Sequence, residues 1–378
     1  MAERILEKRD LESMLIGVGI LGTGGGGDPD FFGKPLVEWD LKKDREYRII
    51  DPGGVRDDAF VVCGGYAGSV KAYVSIGRML QRWEERYELL EAFKIMESIH
   101  DKKIDYVVPF ELGGVNTPVI LSLAARAGIM TIDGDGLGRA APETQMTSFL
   151  GHGIAITPMP FVDMEGNSII VRNAVKSTYP DEIMRTALVL NGGIGANNHY
   201  PMTGKQLKDS VVPNTISFSI EIGYAILDAV MSKKDPIEAL ISTSKGIELF
   251  RGVIRSMGGE DVRAHYLAKA VIEGSEEYAG KEMEIIFKNE AMMARINGEV
   301  VAVFPDLLCI VDPETGKGLM TANIQAGTRV AVVGLPAHRR LRECLETKAG
   351  QEAFSPARFG FPDLRYEPIE TLAKRVLG

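Results

Sequence analysis

Residues 104–136, IDYVVPFELGGVNTPVILSLAARAGIMTIDGDG, restrict the possible folds more than any other part of the chain. Ile104–Phe110 is a short apolar run that reads as a strand. Thr117 and Pro118 supply the N-cap and first-turn proline of a helix, and Gly128 supplies its stop. Ile129–Asp133 reads as a second strand. A strand–helix–strand unit has a right-handed crossover and parallel strands. Parallel strands need cover on both faces, which makes this an α/β fold. The carboxyl ends of both strands then share one edge of the sheet, where open α/β sheets bind ligands.

The flanking sequence extends this pattern. YRIIDP and AFVVCGG read as strands ended by Pro or Gly, and Leu89, Ala92, Phe93 and Met96 form the buried stripe of a helix. Upstream, Asp10 is expected to cap a helix striped by Leu11, Met14, Leu15 and Val18 and ending near Gly22. Residues 180–232 look largely helical, with NGGIGANNHYPMTG as a loop between two helices. From 247 to 335 come ELFRGVIRSM, YLAKAVIEG, MEIIFKNEAMMARI, EVVAVFPDLLCIVD and TRVAVVGL, bounded by turn signals, so this part reads as mostly antiparallel β. The tail 336–378 is expected to pack back on the body. The expected organisation is an α/β domain with a partly parallel sheet over 1–172. A C-terminal domain over 173–378 is helical and then mainly antiparallel β, barrel- or sandwich-like.

The stretch LGTGGGGDPD poses a separate question. Four consecutive glycines, Gly24–Gly27, cost backbone entropy at every position, so bare backbone is needed there. The run follows a helix rather than a strand and lacks a Gly-Lys-Ser/Thr ending. Neither a dinucleotide fingerprint nor a phosphate loop fits, and no nucleotide is expected. Asp28-Pro29 then opens a short helix or turn as N-cap and first helical residue. Thr23, Gly24, Gly25, Gly26, Gly27 and Asp28 are expected to bind a substrate carbonyl, carboxylate or developing oxyanion.

The densest polar cluster lies at the shared sheet edge. Glu111 and Asn116 leave the first strand, Asp133 and Asp135 leave the second, Arg139 follows, and Glu143 sits in the first turn of a helix that Pro142 would open. Clustered carboxylates can hold one divalent cation, here through Glu111, Asp133 and Asp135. They can supply a general base of raised pKa. They can equally be turn and capping residues, with Glu111 paired to Arg139. His152, between glycines, and His199, in the Gly/Asn stretch, read as ligand or proton shuttle on one view and as satisfied histidines on the other. Cys63 reads as a small buried residue. No His-Glu-x-x-His or Cys-x-x-Cys motif supports zinc, and no nucleophile elbow supports a Ser-His-Asp arrangement.

Charge and cysteine content narrow the partners. Lys+Arg 43 against Asp+Glu 52 leaves a net charge of −9, with no basic surplus to neutralise phosphates, so nucleic acid is not an expected partner. No uninterrupted apolar run is long enough for a membrane helix, so no membrane association is expected. No cleavage site follows the short apolar run near the start. Three widely spaced cysteines, 63, 309 and 344, fit reduced thiols. The expectation is a cytoplasmic, homo-oligomeric protein acting on a small molecule.

Three blocks in order, LGTGGGGDPD, FELGGVNTPVILSLAARAGIMTIDGDGLGRAAPETQMTSF and VVAVFPDLLCIVDPETG, resemble the S-methyl-thiohydantoin desulfurase family. Its members are also called hydantoin-utilisation proteins and occur beside hydantoinase/oxoprolinases. The resemblance runs from about residue 8 to about 370. It implies an N-terminal α/β domain, a C-terminal β-rich domain, and attack by water on a five-membered cyclic ureide or thioureide with loss of a thiol or amine. On that reading Glu111, Asp133 and Asp135 bind a metal or activate water. Glu143 or His152 handles the leaving-group proton, Asn116 and Thr117 orient the ring, and Arg139 holds an acidic substituent. CGGYAGSV stands where the family pattern is Gly-Ala-Pro-Thr-Val, which leaves the substrate open. A non-catalytic ligand-binding or accessory subunit of a hydantoinase/oxoprolinase is the alternative.

Overall fold

The helix of the strand–helix–strand unit runs Asn116–Ala127 and stops at Gly128, which takes the left-handed conformation (φ 71°). Thr117 lies inside this helix rather than capping it, and its Oγ1 accepts from the Gly113 amide (3.2 Å). The computed structural model of the chain describes residues 3–68 and 73–378. Ser69 and Val70, the end of CGGYAGSV, lie outside the described residues.

The first sheet comprises β1 (Glu3–Ile5), β2 (Arg48–Ile50), β3 (Phe60–Gly68), β4 (Tyr106–Pro109), β5 (Met130–Ile132), β7 (Met159–Asp163), β8 (Ser168–Val171) and β9 (Ile194–Thr203). Their order is β1-β2-β5-β4-β3-β9-β7-β8. The centre β2-β5-β4-β3 is parallel as expected, and antiparallel strands extend it on both sides. A separate two-stranded pairing joins β6 (Gly134–Asp135) to β10 (Val212–Pro213).

Three local expectations are corrected. Asp10 is the third residue of the helix Lys8–Leu21, and its carboxylate accepts from the Glu7 amide in a capping box. Glu143 is not helical: the nearby helix is Ser148–Gly151, capped by Thr147, and ion pairs hold Glu143 outside it. The Gly/Asn stretch is not a loop. After Gly192 and Gly193, both at positive φ, Ile194–Thr203 becomes an internal strand with Asn197, Asn198 and His199 buried. Gly and Asn are depleted in strands, so local preference points away from what pairing with β3 and β7 enforces. The region 180–232 therefore alternates the helix Tyr179–Leu190, β9, the helix Gly204–Ser210 and the helix Thr215–Met231.

The second sheet is antiparallel throughout and curls into a half-barrel in the order β15-β14-β13-β12-β11-β17-β16. It comprises β11 (Ile247–Val262), β12 (His265–Gly274), β13 (Glu282–Lys288), β14 (Glu290–Ile296), β15 (Glu299–Val303), β16 (Leu307–Val311) and β17 (Arg329–Leu335). MEIIFKNEAMMARI is two strands, because Asn289 turns the chain at φ 57°. Asn tolerates that conformation better than most residues, so a hairpin can form without glycine. Met292, Met293 and Val303 of this sheet, with the adjoining Phe304, share one core with Met159, Phe161 and Tyr200 of the first and with Leu341 and Phe354 of the tail. All three cysteines are buried free thiols. Among the described residues no helix is long and apolar enough to cross a membrane.

Candidate active site

A cleft opens where the carboxyl ends of β3 and β4 meet the tip of the β13–β14 hairpin. Its walls are Gly24–Asp28, Tyr66–Gly68, Phe110–Glu111, Val115–Asn116, Ala141–Thr144, Arg185, Asn289–Glu290 and Met320. The parallel strands thus deliver Glu111 and Asn116 to the expected edge, and the second sheet closes it from above.

Glu111 is buried and held from two sides. Its Oε1 accepts from Asn116 Nδ2 (2.6 Å) and its Oε2 from the Ala141 amide. Asn116 Oδ1 in turn accepts from the Tyr66 amide (2.8 Å), which fixes the amide orientation between β3 and the helix start. Burial pushes the Glu111 carboxyl well above the ordinary carboxylate range, and the charge of Glu290 adds to this. Glu290 comes from the hairpin tip. Burial raises it to about 7 against the opposing pull of the Arg139 guanidinium.

The glycine run is shaped by this carboxylate. A β-carbon on Gly25 would lie 2.0 Å from Glu290 Oε1, so only a bare backbone lets the side chain in. Gly27 sits at φ 86°, and a β-carbon there would meet Val115 at 2.1 Å. The run is tied down by its backbone: Gly26 O accepts from Val115 N (3.0 Å) and Gly24 O from Thr321 N (2.9 Å), while Gly26 N donates to Gly22 O (3.0 Å), which removes the Gly26 amide from the expected anion-binding set. Asp28 caps the short helix Pro29–Gly33, accepting from the amides of Asp30 and Phe31, and its other oxygen accepts from Asn323 Nδ2 (3.0 Å). Thr23 turns away, donating its hydroxyl to Ile20 O.

Glu143 lines the cleft as a fixed anion. Lys288, Gln145 and Arg358 all donate to it, and the two cations hold its carboxyl down at about 2 despite burial. A carboxyl so strongly ionised is a poor proton donor to a leaving group. Arg185, also on the wall, donates to Asp181 Oδ2 (2.7 Å), Ala264 O (2.8 Å) and Pro142 O.

The remaining expected residues do not reach the cleft. Asp133 accepts from the Ser217 amide (3.0 Å) and hydroxyl (2.5 Å), securing the start of the helix Thr215–Met231. Asp135 accepts from the amides of Leu137 and Gly138 inside its own turn, and burial raises it to about 7. Arg139 is buried with its donors on the carbonyls of Ala140, Ala291, Pro305 and Asp306, and its guanidinium lies 4.6 Å from the Phe304 ring centre. It ties the first domain to the second sheet and has no arm left for a substrate carboxylate. His152 stands apart, its Nδ1 2.8 Å from Ser148 O and its Nε2 3.6 Å from Glu343. Among the described residues no three His, Cys, Asp or Glu side chains are grouped to hold a metal ion. The expected set of Glu111, Asp133 and Asp135 is divided among three separate tasks, so these residues do not fit such an ion.

Models of an S-Me-THD-like N-terminal domain and an S-Me-THD-like C-terminal domain match residues 9–173 and 175–369. The chain belongs to the S-Me-THD-like family. A crystal structure of a protein from Chromobacterium violaceum shares its fold, with a TM-score of 0.77 and 23% identity, covering 98% of this chain and 100% of that one. No curated protein matches it.

Within this S-Me-THD-like chain, sequence reasoning missed Glu290 and Arg185. Glu290 lies far from Glu111 in sequence. The available signal was Lys288-Asn289-Glu290, a turn-forming Asn with two charges in an otherwise apolar run. Tyr66, Ala67 and Gly68, from the described part of the segment that departs from the family pattern, lie on the cleft wall. His199 is buried opposite Cys63 on the neighbouring strand, and burial lowers it to about 3, which keeps the ring neutral.

Proposed function

We propose that this protein is a hydrolase of five-membered cyclic thioureides, removing a thiol from a ring carbon by attack of water. The observation that carries the reading is Glu111. It is a buried carboxyl on the cleft wall, oriented by Asn116 and the Ala141 amide, and kept neutral at a pH where exposed carboxylates are ionised. The family name points to the same chemistry. A five-membered ring offers a carbonyl, ring nitrogens and two flat faces, and the cleft offers bare glycine backbone, an oriented carboxyl and the rings of Phe110 and Tyr66.

A neutral carboxylic acid beside a ring N=C–S unit can protonate the ring nitrogen as water adds to the carbon that bears the sulfur. The C–S bond then breaks, a C=O forms, and the products are a cyclic ureide and a thiol. The test uses an S-methyl-thiohydantoin, with thiol release followed by a chromogenic reagent and binding followed by calorimetry. Glu111→Gln is expected to lower kcat by about 100-fold or more, the usual scale for one acid–base group, with binding changed less than about 5-fold. A wild-type protein that binds the ring and releases no thiol would overturn the hydrolase reading in favour of a binding role.

A further inference from the structure

The hairpin tip is built in a way the single carboxyl of Glu111 leaves unexplained. Lys288 and Glu290 are register partners across the Asn289 turn. Lys288 is spent on Glu143 and the Arg358 carbonyl (3.0 Å). Glu290 on the other side enters the space left by Gly25 and is buried, and its Oε2 has no hydrogen-bond partner among the described residues. Leaving a buried carboxylate oxygen unpaired forfeits its hydration without return, so a chain keeps one where a ligand or water completes it. That oxygen belongs to a residue lining the same cleft as Glu111.

We infer that Glu290 is the second catalytic carboxyl of the site, working with Glu111 as an acid–base pair that holds one proton between them. This rests on the proposed thioureide hydrolysis. Both carboxyls are buried and line one cleft, and two carboxyls that interact in low dielectric do not readily both ionise. The asymmetry of their surroundings assigns the roles. Glu290 lies in the field of the Arg139 guanidinium first, and of Arg185 and Lys288, all of which favour its anion. Glu111 has only neutral hydrogen-bond donors and meets the charges of both Glu290 and Asp135, against a weaker pull from Arg139, so the shared proton resides on Glu111.

The cycle balances. Glu290 takes one proton from water as the water oxygen bonds to the ring carbon, while Glu111 gives its proton to the ring nitrogen receiving the C=N electron pair. As the adduct collapses, its hydroxyl proton returns to Glu111 and a C=O forms. The C–S bond breaks, its electron pair leaves on sulfur, and Glu290 protonates the thiolate. The pair ends as it began, with one proton.

The experiment compares wild type, Glu290→Gln, Glu290→Ala and Glu111→Gln. Glu290→Gln is expected to lower kcat about 100-fold or more, with thiohydantoin binding within about 5-fold. The acidic limb of the pH–rate profile should vanish with it, and formate should partly restore Glu290→Ala. Independently of substrate, infrared difference spectra between pH 5 and 9 should show a protonated carboxyl band in wild type. Its titration should move to lower pH in Glu290→Gln, because the opposing charge is gone. A Glu290→Gln enzyme within 3-fold of wild type, or a band that titrates unchanged, would overturn the pair. If wild type releases no thiol while the band still shifts, the substrate reading fails and the shared proton stands.

Discussion

At the scale of single residues, the same residue type does opposite work according to what surrounds it. Glu111 and Glu143 both line the cleft, yet one is driven neutral by burial and the other is clamped ionised by Lys288 and Arg358. Asp133 tests the distinction between chemistry and framework. Asp133→Ala removes both bonds to Ser217 and is expected to cost about 1–2 kcal/mol, as loss of a helix cap does. Thermal unfolding should register this as a drop of several degrees, while kcat/KM stays within about 3-fold. A dead but undiminished fold would instead return Asp133 to the catalytic set. The sequence made Glu111 and Asn116 legible because they directly follow a strongly patterned strand. It also offered Asp133, Asp135 and Arg139 on the same logic, and these turned inward to amides and carbonyls. Which way a side chain leaves a loop depends on partners such as Ser217 and Pro305, distant in sequence.

Among the elements, the long periodic ones were readable and those defined by their neighbours were not. The stripe Leu11, Met14, Leu15 and Val18 specified its helix without outside help. Ile194–Thr203 carries no strand signal because its identity comes from the slots beside β3 and β7. The Asn289 turn was hidden inside an apolar run for the same kind of reason: one left-handed residue converts a strand into a hairpin. That hairpin and the glycine run are fitted to one another. Gly25→Ala forces a β-carbon against Glu290 Oε1, so overpacking of about 1–3 kcal/mol is expected together with a fall in turnover. Adding Glu290→Ala should recover the stability and leave turnover low; a double variant no more stable than the single would dissociate the two elements. Arg139→Lys keeps the charge and loses the fork that reaches four carbonyls. A lowered melting temperature with wild-type KM is the expected result.

For the molecule as a whole, the buried carboxyls set the pH dependence of stability. Glu111, Asp135 and Glu290 are all raised, so the folded chain keeps protons that the unfolded chain releases in the ordinary carboxylate range. Their contribution is complete below about pH 4 and is lost as pH rises, for Asp135 and Glu290 towards about 7, at up to ~1.4 kcal/mol per pH unit for each group. Glu143 runs the other way, contributing above the ordinary range and losing that only as pH falls towards about 2. Denaturant midpoints should therefore decline from pH 5.5 to pH 8, and the decline should be shallower in Glu290→Gln. An unchanged slope would show that Glu290 neither takes up a proton of its own in this range nor raises Glu111. The two-part α/β and β architecture was evident from the order of strand and helix patterns, whereas the crossing of one strand between the parts was not. That crossing bears on how the chain is made. β7 and β8 connect to the rest of the first sheet only through β9, which is translated later. A nascent chain that has emerged only as far as residue 173 therefore holds two unjoined pieces of sheet, each with a bare edge open to wrong partners. The pieces lock together when residue 203 clears the exit tunnel, so the first half of the protein waits, unfinished, for a ten-residue strand from the second.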